Sequence, residues 1–139
     1  MSKIERIGVS LPKELLSRFD VFIEEQGYSN RSEAIRDLIR DRLVEEQWRA
    51  GEEEVMAAVA LVYDHEQREL ANRLTEIQHE NLENIISTIH VHIDEKRCLE
   101  VLLLRGQGRL IKQLSEKLIS LRGILHGKIV HTTTGKKIE

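Results

Sequence analysis

Two histidines and one cysteine lie close together in the segment ISTIHVHIDEKRC, residues 86–98. Period-two alternation predicts a strand here, in which His90 and His92 point to the same face and lie roughly 7 Å apart along the strand. Residues 94–97 are polar and predict a hairpin turn, so that Cys98 opens the returning strand close to His92. Two imidazole nitrogens and one thiolate suit Ni(II), Cu(II) or Zn(II) rather than Mg²⁺ or Ca²⁺. The spacing therefore indicates a transition-metal site.

Each of these residues also has an ordinary structural interpretation. A His-x-His pair on an exposed strand face is often solvated polar surface. A lone cysteine at the start of a buried strand usually packs as a small hydrophobic side chain. The spacing also matches no known zinc motif. The combination of all three residues on one hairpin face nevertheless favours a metal site over these alternatives.

A closed metal site needs a fourth ligand, and the remaining histidines are the candidates. His79 lies near the end of a predicted helix spanning residues 64–81. From there it can reach the site in its own subunit or in a neighbouring one. The weaker candidates, because each stands alone in the sequence, are His65, His126 and His131.

Hydrophobic periodicity in the second half of the chain predicts the elements that position these ligands. The apolar run 55–63 predicts a buried strand, and Asp64 with Gln67 resembles a capping box that begins a helix directly after it. The remaining predicted elements are strands at 84–93 and 98–105, a helix at 108–121 and a strand at 125–133. The order βαββαβ is that of the ferredoxin-like fold, an antiparallel sheet with two helices on one face. The fold class is therefore α+β.

The first fifty residues predict a strand followed by two helices. Residues 5–11 alternate in polarity, and Pro12 ends that strand. The predicted helices cover 13–26 and the stretch from Ser29 or Asn30 to about Arg49, and the hydrophilic residues 45–54 predict the helix end plus a linker. A lone strand has unpaired edges, and fifty residues bury too little surface to fold alone. We therefore expect two copies of the strand to pair antiparallel in a ribbon-helix-helix dimer.

The composition is that of a globular chain without a basic surplus. Of 139 residues, 40% are apolar and 32% are charged, and the net charge is −3. DNA binding would therefore depend on where the positive charges lie rather than on their total. No apolar run approaches membrane-spanning length and the N-terminus lacks the apolar core of a signal peptide, so we expect a cytoplasmic protein without a membrane partner. The single cysteine excludes an internal disulfide.

Four segments together resemble the nickel-responsive repressor family over essentially the whole chain. They are RIGVSLPKELL, GYSNRSEAIRDLIRDRL, YDHEQRELANRL and QHEN…TIHVHIDEKRCLEVLLLRG…RGILHGKIV. The resemblance implies one square-planar Ni(II) site per chain, with the ligands His79, His90, His92 and Cys98. It further implies that His79 comes from a partner subunit of a homotetramer, built as a dimer of dimers. The sensing fold of the family is an ACT domain, which agrees with the predicted βαββαβ order.

The resemblance also carries DNA-binding and supporting positions into this sequence. The outward strand positions that read bases match Arg6, Gly8 and Ser10, although Gly8 replaces a polar side chain and offers no side-chain hydrogen bond. Backbone N–H groups near Ser29 and Asn30 are expected to hold a phosphate of operator DNA. The remaining matches are Arg68 as a phosphate contact, Glu100 as a partner that orients the histidines, and Glu33 with Asp37 as a site for a second hard cation between the domains. A solvated acidic helix face is the alternative interpretation of the last pair.

The leading hypothesis is a nickel-dependent DNA-binding regulator that represses nickel-uptake genes when Ni(II) is bound. It assigns residues 1–50 to a ribbon-helix-helix domain and residues 51–139 to an ACT-like domain for metal binding and tetramerisation. A ribbon-helix-helix antitoxin with an unrelated tail would predict a disordered second half, against the dense βαββαβ pattern. A metalloenzyme would need an open coordination position and a general base or phosphate loop, and none is evident in the sequence.

Overall fold

A computed structural model describes residues 3–139, which divide into two compact units. The first unit extends through Leu43 and includes Lys137–Glu139, and the second covers Val44–Lys136. Among the described residues, no helix combines the length and the apolar character that a bilayer crossing requires.

The first unit is built on two helices joined by a tight turn. Helix α1 covers Lys13–Glu25 and helix α2 covers Arg31–Ala50, so α2 continues past Leu43. Gly27 takes a φ of +85° after α1, a left-handed conformation that glycine adopts without strain. The side chain of Asn30 caps α2 by accepting a hydrogen bond from the backbone N–H of Glu33 at 3.0 Å. Two successive helices separated by a short turn therefore agree with the helices predicted from the sequence.

The N-terminal segment forms no strand in the single chain, in contrast to the strand predicted over residues 5–11. Ile7 is 80% exposed, Val9 is 64% exposed and Leu11 is 45% exposed. The physical reason is that a β-ladder requires a second strand, and a single chain offers none for this segment. The alternating apolar residues thus remain without the cover that a paired ribbon would supply.

The second unit is a four-stranded antiparallel sheet with helices packed on one face. Its elements are β1 (Glu54–Asp64), α3 (Arg68–Glu80), β2 (Ile85–His92), β3 (Arg97–Gln107), α4 (Gly108–Ile119) and β4 (Ile124–Thr133). The strand order is β2-β3-β1-β4, and every neighbouring pair is antiparallel. The order βαββαβ and this topology confirm the predicted ferredoxin-like arrangement.

One of the two predicted helix boundaries in this region is wrong. The helix predicted from residue 64 begins at Arg68, because Asp64 still pairs with Arg97 in the sheet. The predicted end of the second helix near Arg49 is confirmed, because α2 runs to Ala50 and only a short segment then precedes β1. The C-terminal part of α2 packs on the core of the second unit: Trp48 is buried in it and Val44 lies against it.

The two faces of the sheet differ in cover. On the helical face, β1 alternates buried residues with half-buried ones, and its buried side chains share one core with α3 and α4. The core residues contributed by the helices are Leu70, Leu74, Ile77, Ile111, Leu114 and Leu118. On the opposite face, Ile89 and Val91 of β2 and Val130 of β4 are about half exposed. This second face is apolar and lacks a covering layer within the single chain.

Trp48 attaches the end of α2 to strand β4. Its side chain is 8% exposed, and its indole N–H donates to the backbone carbonyl of Thr132 at 2.9 Å. Its ring lies 4.0 Å from the ring of His131, centroid to centroid. Partial desolvation lowers the pKa of His131 below its ordinary value of 6.5, the nearby Lys112 lowers it further, and Glu116 acts in the opposite direction. The neutral imidazole is therefore the form that this packing favours.

We expect the stability of the second unit to decrease as the pH falls from about 7. The pKa of His131 is lower in the folded state than the ordinary 6.5, so the unfolded chain binds the proton first as the pH falls. The free energy of unfolding therefore begins to decrease near pH 6.5 and continues to decrease down to the pKa of His131 in the folded state. Urea unfolding between pH 7.5 and 5, followed by Trp48 fluorescence, measures the effect. His131→Gln should flatten the pH dependence, and His126→Gln, at an exposed position of the same strand, should leave it unchanged. An equally steep dependence in His131→Gln would contradict the assignment.

Candidate metal centre

The β2–β3 hairpin brings His90, His92, Cys98 and Glu100 to one face of the sheet. In the strand register, His90 pairs with Glu100 and His92 pairs with Cys98. The two imidazole rings lie 5.3 Å apart, centroid to centroid, and are inclined by 22°. His92 is therefore directly opposite a thiol that can bind a metal ion, and His90 is opposite a carboxylate that can orient a histidine ligand.

The turn of this hairpin is held by Asp94. Its carboxylate accepts the backbone N–H groups of Lys96 at 3.0 Å and Arg97 at 2.8 Å, and also the guanidinium of Arg97. These hydrogen bonds lower the pKa of Asp94 to about 2, so the carboxylate stays ionised at neutral pH. The turn that sets the spacing between His92 and Cys98 is thus a hydrogen-bonded local structure.

The histidines and the cysteine differ strongly in exposure. His90 and His92 lie on an edge strand that is exposed along most of its length, whereas Cys98 is fully buried. The thiol of Cys98 lies 3.6 Å from the backbone carbonyl of Tyr63 as a weak donor, and burial raises its pKa. A metal ion takes a cysteine as thiolate, so binding would replace this proton.

Glu100 is a buried carboxylate that accepts hydrogen bonds from two side chains. It is 7% exposed, and it accepts the hydroxyl of Tyr63 at 3.1 Å and the side-chain amide of Gln78 at 3.3 Å. Burial, and after it the charge of Glu100, raises the pKa of Tyr63 far above its ordinary value, so this hydroxyl remains a donor. Gln78 belongs to α3 and directly precedes His79. The network therefore connects the end of α3 to the hairpin.

His79 does not join the hairpin ligands within one chain. It is exposed and lies two residues after the buried Ile77, on a side of α3 turned away from the core. Throughout residues 3–139, no three His, Cys, Asp or Glu side chains converge closely enough to hold a metal ion. The hairpin donors of a single chain are therefore an incomplete set.

His65 is the residue that sequence reasoning placed wrongly. It was expected to stand alone, but its ring lies 4.8 Å from that of His92, and its Nε2 is buried without a hydrogen-bond partner in the described structure. Its backbone N–H donates to the carbonyl of Lys96, which continues the β1–β3 pairing and brings it beside the hairpin. Only that register could have revealed the proximity. His131 is not alone either, since it stacks on Trp48, while His126 is exposed.

The positions matched to DNA binding lie at the surface. Arg6, Gly8 and Ser10 are exposed in the N-terminal segment. Ser29 and Asn30 immediately precede α2, and the hydroxyl of Ser29 donates to the carboxylate of Glu33 at 3.1 Å. The remaining position, Arg68, is exposed and is the first residue of α3.

The two acidic residues matched to a second cation already have partners in the first unit. Glu33 accepts the hydroxyl of Ser29. Asp37 accepts the hydroxyl of Tyr28 at 2.7 Å and lies 3.9 Å from the guanidinium of Arg40. A cation bound there would have to compete with these contacts.

Comparisons with known proteins assign both parts of the chain. The family model described as the NikR C-terminal nickel-binding domain matches residues 56–132, and the model of copG-family ribbon-helix-helix proteins matches residues 5–46. A solved structure of an uncharacterized protein from Thermotoga maritima covers 57% of this chain and 98% of its own, with a TM-score of 0.50 and 21% identity. That likeness supports the fold alone.

Curated relatives match over nearly the full length. A protein of Pyrococcus furiosus is 52% identical over 97% of this chain and 98% of its own, and one of Geobacter sulfurreducens is 51% identical over 99% of both. Their names describe a nickel-responsive regulator. The family is regulatory and not enzymatic. With an N-terminal ribbon-helix-helix match, a nickel-binding domain match and this identity across the whole sequence, the chain belongs to the family of nickel-responsive transcriptional regulators.

Proposed function

We propose that this chain represses nickel-uptake genes by binding their operators when Ni(II) occupies its sensing unit. The observation that carries the proposal is the hairpin face on which His90, His92 and Cys98 meet without a complete metal site in one chain. The division of labour assigns DNA binding to residues 1–50 and sensing to residues 51–139. A regulator of this kind acts in the cytoplasm, where the operator DNA is.

One Ni(II) per chain is held by His90, His92 and Cys98, together with His79 of a second subunit. The support for a shared site is that His79 is exposed and that, among the described residues of one chain, it forms no ligand group with the hairpin donors. Three imidazole nitrogens and a thiolate match the preference of Ni(II) for borderline and soft donors. Glu100 orients the neighbouring histidine and is itself oriented by Tyr63 and Gln78.

A shared site and a paired ribbon together require a tetramer, a dimer of dimers. The ribbon pairs two chains through the exposed Ile7, Val9 and Leu11. The second pairing is supported by the uncovered apolar face of the sheet, where Ile89 and Val91 are about half exposed. Apolar patches of this kind usually mark an interface.

DNA binding uses the paired ribbon in the major groove, which is wide enough for two strands. Arg6 and Ser10 offer side-chain donors at the outward positions, while Gly8 offers only backbone. The N–H groups near Ser29 and Asn30 hold one phosphate, and Arg68 holds another.

Helix α3 connects the metal to the DNA because it carries a ligand at one end and a phosphate contact at the other. His79 and Arg68 are eleven residues apart, or roughly 16 Å along the axis. Ligation of His79 restrains the C-terminal end of the helix, and the same helix presents Arg68 to the DNA. Metal binding thereby favours the DNA-competent state of the protein. A second, hard cation held by Glu33 and Asp37 would act on the first unit.

The decisive experiment is DNA retention with and without Ni(II). A duplex selected from a random-sequence library by the nickel-loaded protein should be retained on a gel only when Ni(II) is present. Cys98→Ala should abolish both this retention and the sulfur-to-nickel charge-transfer absorption, because the thiolate is lost. His126→Ala, which removes an exposed histidine, should preserve both. If the absorption band persists in Cys98→Ala, the assignment of the cysteine is wrong.

Tyr63→Phe tests the support of the metal ligands. The variant leaves Glu100 with one donor fewer, and we expect nickel affinity to fall about 10- to 100-fold and the free energy of unfolding to fall by about 1–3 kcal/mol. Competition titration with a chelator and urea unfolding measure the two effects. Tyr28→Phe is the matched control, because it removes a hydroxyl that is bonded to Asp37 in the first unit. The nickel affinity of Tyr28→Phe should equal that of the parent protein. A parental nickel affinity in Tyr63→Phe would refute the role of Tyr63 in positioning Glu100.

The oligomeric state tests the two proposed pairings. Light scattering at micromolar concentration should give a tetramer for the parent protein. Val91→Lys should give a dimer, because a charge on the apolar sheet face opposes one pairing and leaves the ribbon intact. Glu95→Lys, at an exposed position of the hairpin turn, should remain a tetramer. A parent protein that is a stable dimer with and without metal would exclude the tetramer and show that one of the two pairings does not form.

A further inference from the structure

A cleft with three arginines opens on the sensing unit, away from the metal ligands. It has a volume of about 870 Å³ and lies between the start of α3 and the turn that joins α4 to β4. The charged side chains that line it include Arg68, Arg73 and Arg122, with Glu69 as the only carboxylate among its lining residues. The protein as a whole is acidic, with a net charge of −3, so this cleft is a local exception.

Close packing at Gly123 holds the two sides of the cleft together. Gly123 has a φ of +102°, and a Cβ at this position would lie 2.7 Å from the side-chain oxygen of Gln67 and 3.2 Å from Leu70. A side chain at this position would be strained by the positive φ, and the side chains of Gln67 and Leu70 would have to move to make room for it. Arg122 directly precedes Gly123, and Arg68 directly follows Gln67. The close approach of Gly123 to Gln67 therefore places both arginines in the same cleft.

Two of the three arginines have no partner in the described structure. Arg73 forms an ion pair with Glu76 at 3.0 Å. Arg68 and Arg122 are exposed, and neither makes an ion pair or a side-chain hydrogen bond within residues 3–139. Two guanidinium groups that line one cleft without a carboxylate partner repel each other weakly. An anion placed between them would attract both, and this attraction would outweigh the repulsion.

We propose that Arg122 and Arg68 form a phosphate-binding cleft that contacts the DNA backbone. A guanidinium binds phosphate through two parallel N–H donors, and such contacts position a protein on DNA without reading its sequence. The inference rests on the proposed function and extends it, because Arg122 becomes a second phosphate contact from the sensing unit. Free phosphate offers the same chemistry and is the competing occupant.

The test compares salt dependence of DNA binding for the nickel-loaded full chain. Arg122→Ala should weaken binding several-fold at 50 mM salt, and by the same factor on the selected duplex and on a random duplex of equal length. Each phosphate contact contributes a slope of about −0.9 in log affinity against log salt. The parent-to-variant affinity ratio should therefore fall about 3.5-fold between 50 and 200 mM salt. Arg122→Lys should keep the parental slope, since it keeps the charge.

Arg105→Ala is the matched control. The variant also removes one positive charge, from an exposed arginine that is paired with Glu54. Glu54 is the first residue of β1, whereas the cleft lies beyond the last residue of that strand. Its salt slope should equal that of the parent. Arg6→Ala gives the contrasting pattern, with a loss on the selected duplex that exceeds the loss on the random one.

Three outcomes would overturn the inference. If the parent binds DNA with Ni(II) and Arg122→Ala binds with the same affinity and slope, the cleft does not contact DNA and only this inference fails. If calorimetry with inorganic phosphate detects binding that Arg122→Ala abolishes while DNA affinity stays parental, the occupant is free phosphate. If the parent shows no nickel-dependent retention, the proposed function fails and the inference with it.

Discussion

The pairing of β1 with β3 in the middle of the sheet is the constraint on which the sensing unit depends. Its register runs without interruption from Glu54↔Gln107 to Asp64↔Arg97. This register places Tyr63 opposite Cys98, and Glu100 one step further on the same face, within reach of the tyrosine hydroxyl. A shift by one residue would turn Cys98 and Glu100 to the other face of the sheet. The helical core and the candidate metal centre therefore depend on the same set of backbone hydrogen bonds.

The unit combines a rigid side with an open side. Strand β3 is covered by the helices and buries Cys98 and Glu100, whereas β2 is an edge strand that leaves His90 and His92 exposed. Buried groups hold one arrangement, because each buried polar atom needs its partner. Exposed imidazoles remain accessible to a metal ion and to a neighbouring chain. The same incompleteness recurs in the first unit, whose apolar alternating segment finds no strand to pair with. Both units thus leave apolar side chains without cover in the single chain.

The differences between prediction and structure have a common cause in tertiary contacts. Asp64 and Gln67 formed a plausible helix start, but sheet pairing with Arg97 holds Asp64 in β1 and delays α3 to Arg68. His65 stood alone in the sequence, and the continuation of the β1–β3 ladder brought it beside His92. In each case a long-range contact outweighed the local signal.

The sequence by itself determined the order of the elements and which candidate donors share one strand face. Alternation and helical periodicity are local properties, so they predicted βαββαβ and the shared face of His90, His92 and Cys98 without reference to distant residues. The resemblance of whole segments added the family. Only the tertiary structure decided which side chains surround those donors, because the positions of Tyr63, Gln78 and His65 depend on strand register and helix packing. It also decided the arginine cleft, since Arg68 and Arg122 are far apart in the sequence and line one cleft because the chain at Gly123 comes close to Gln67 and Leu70.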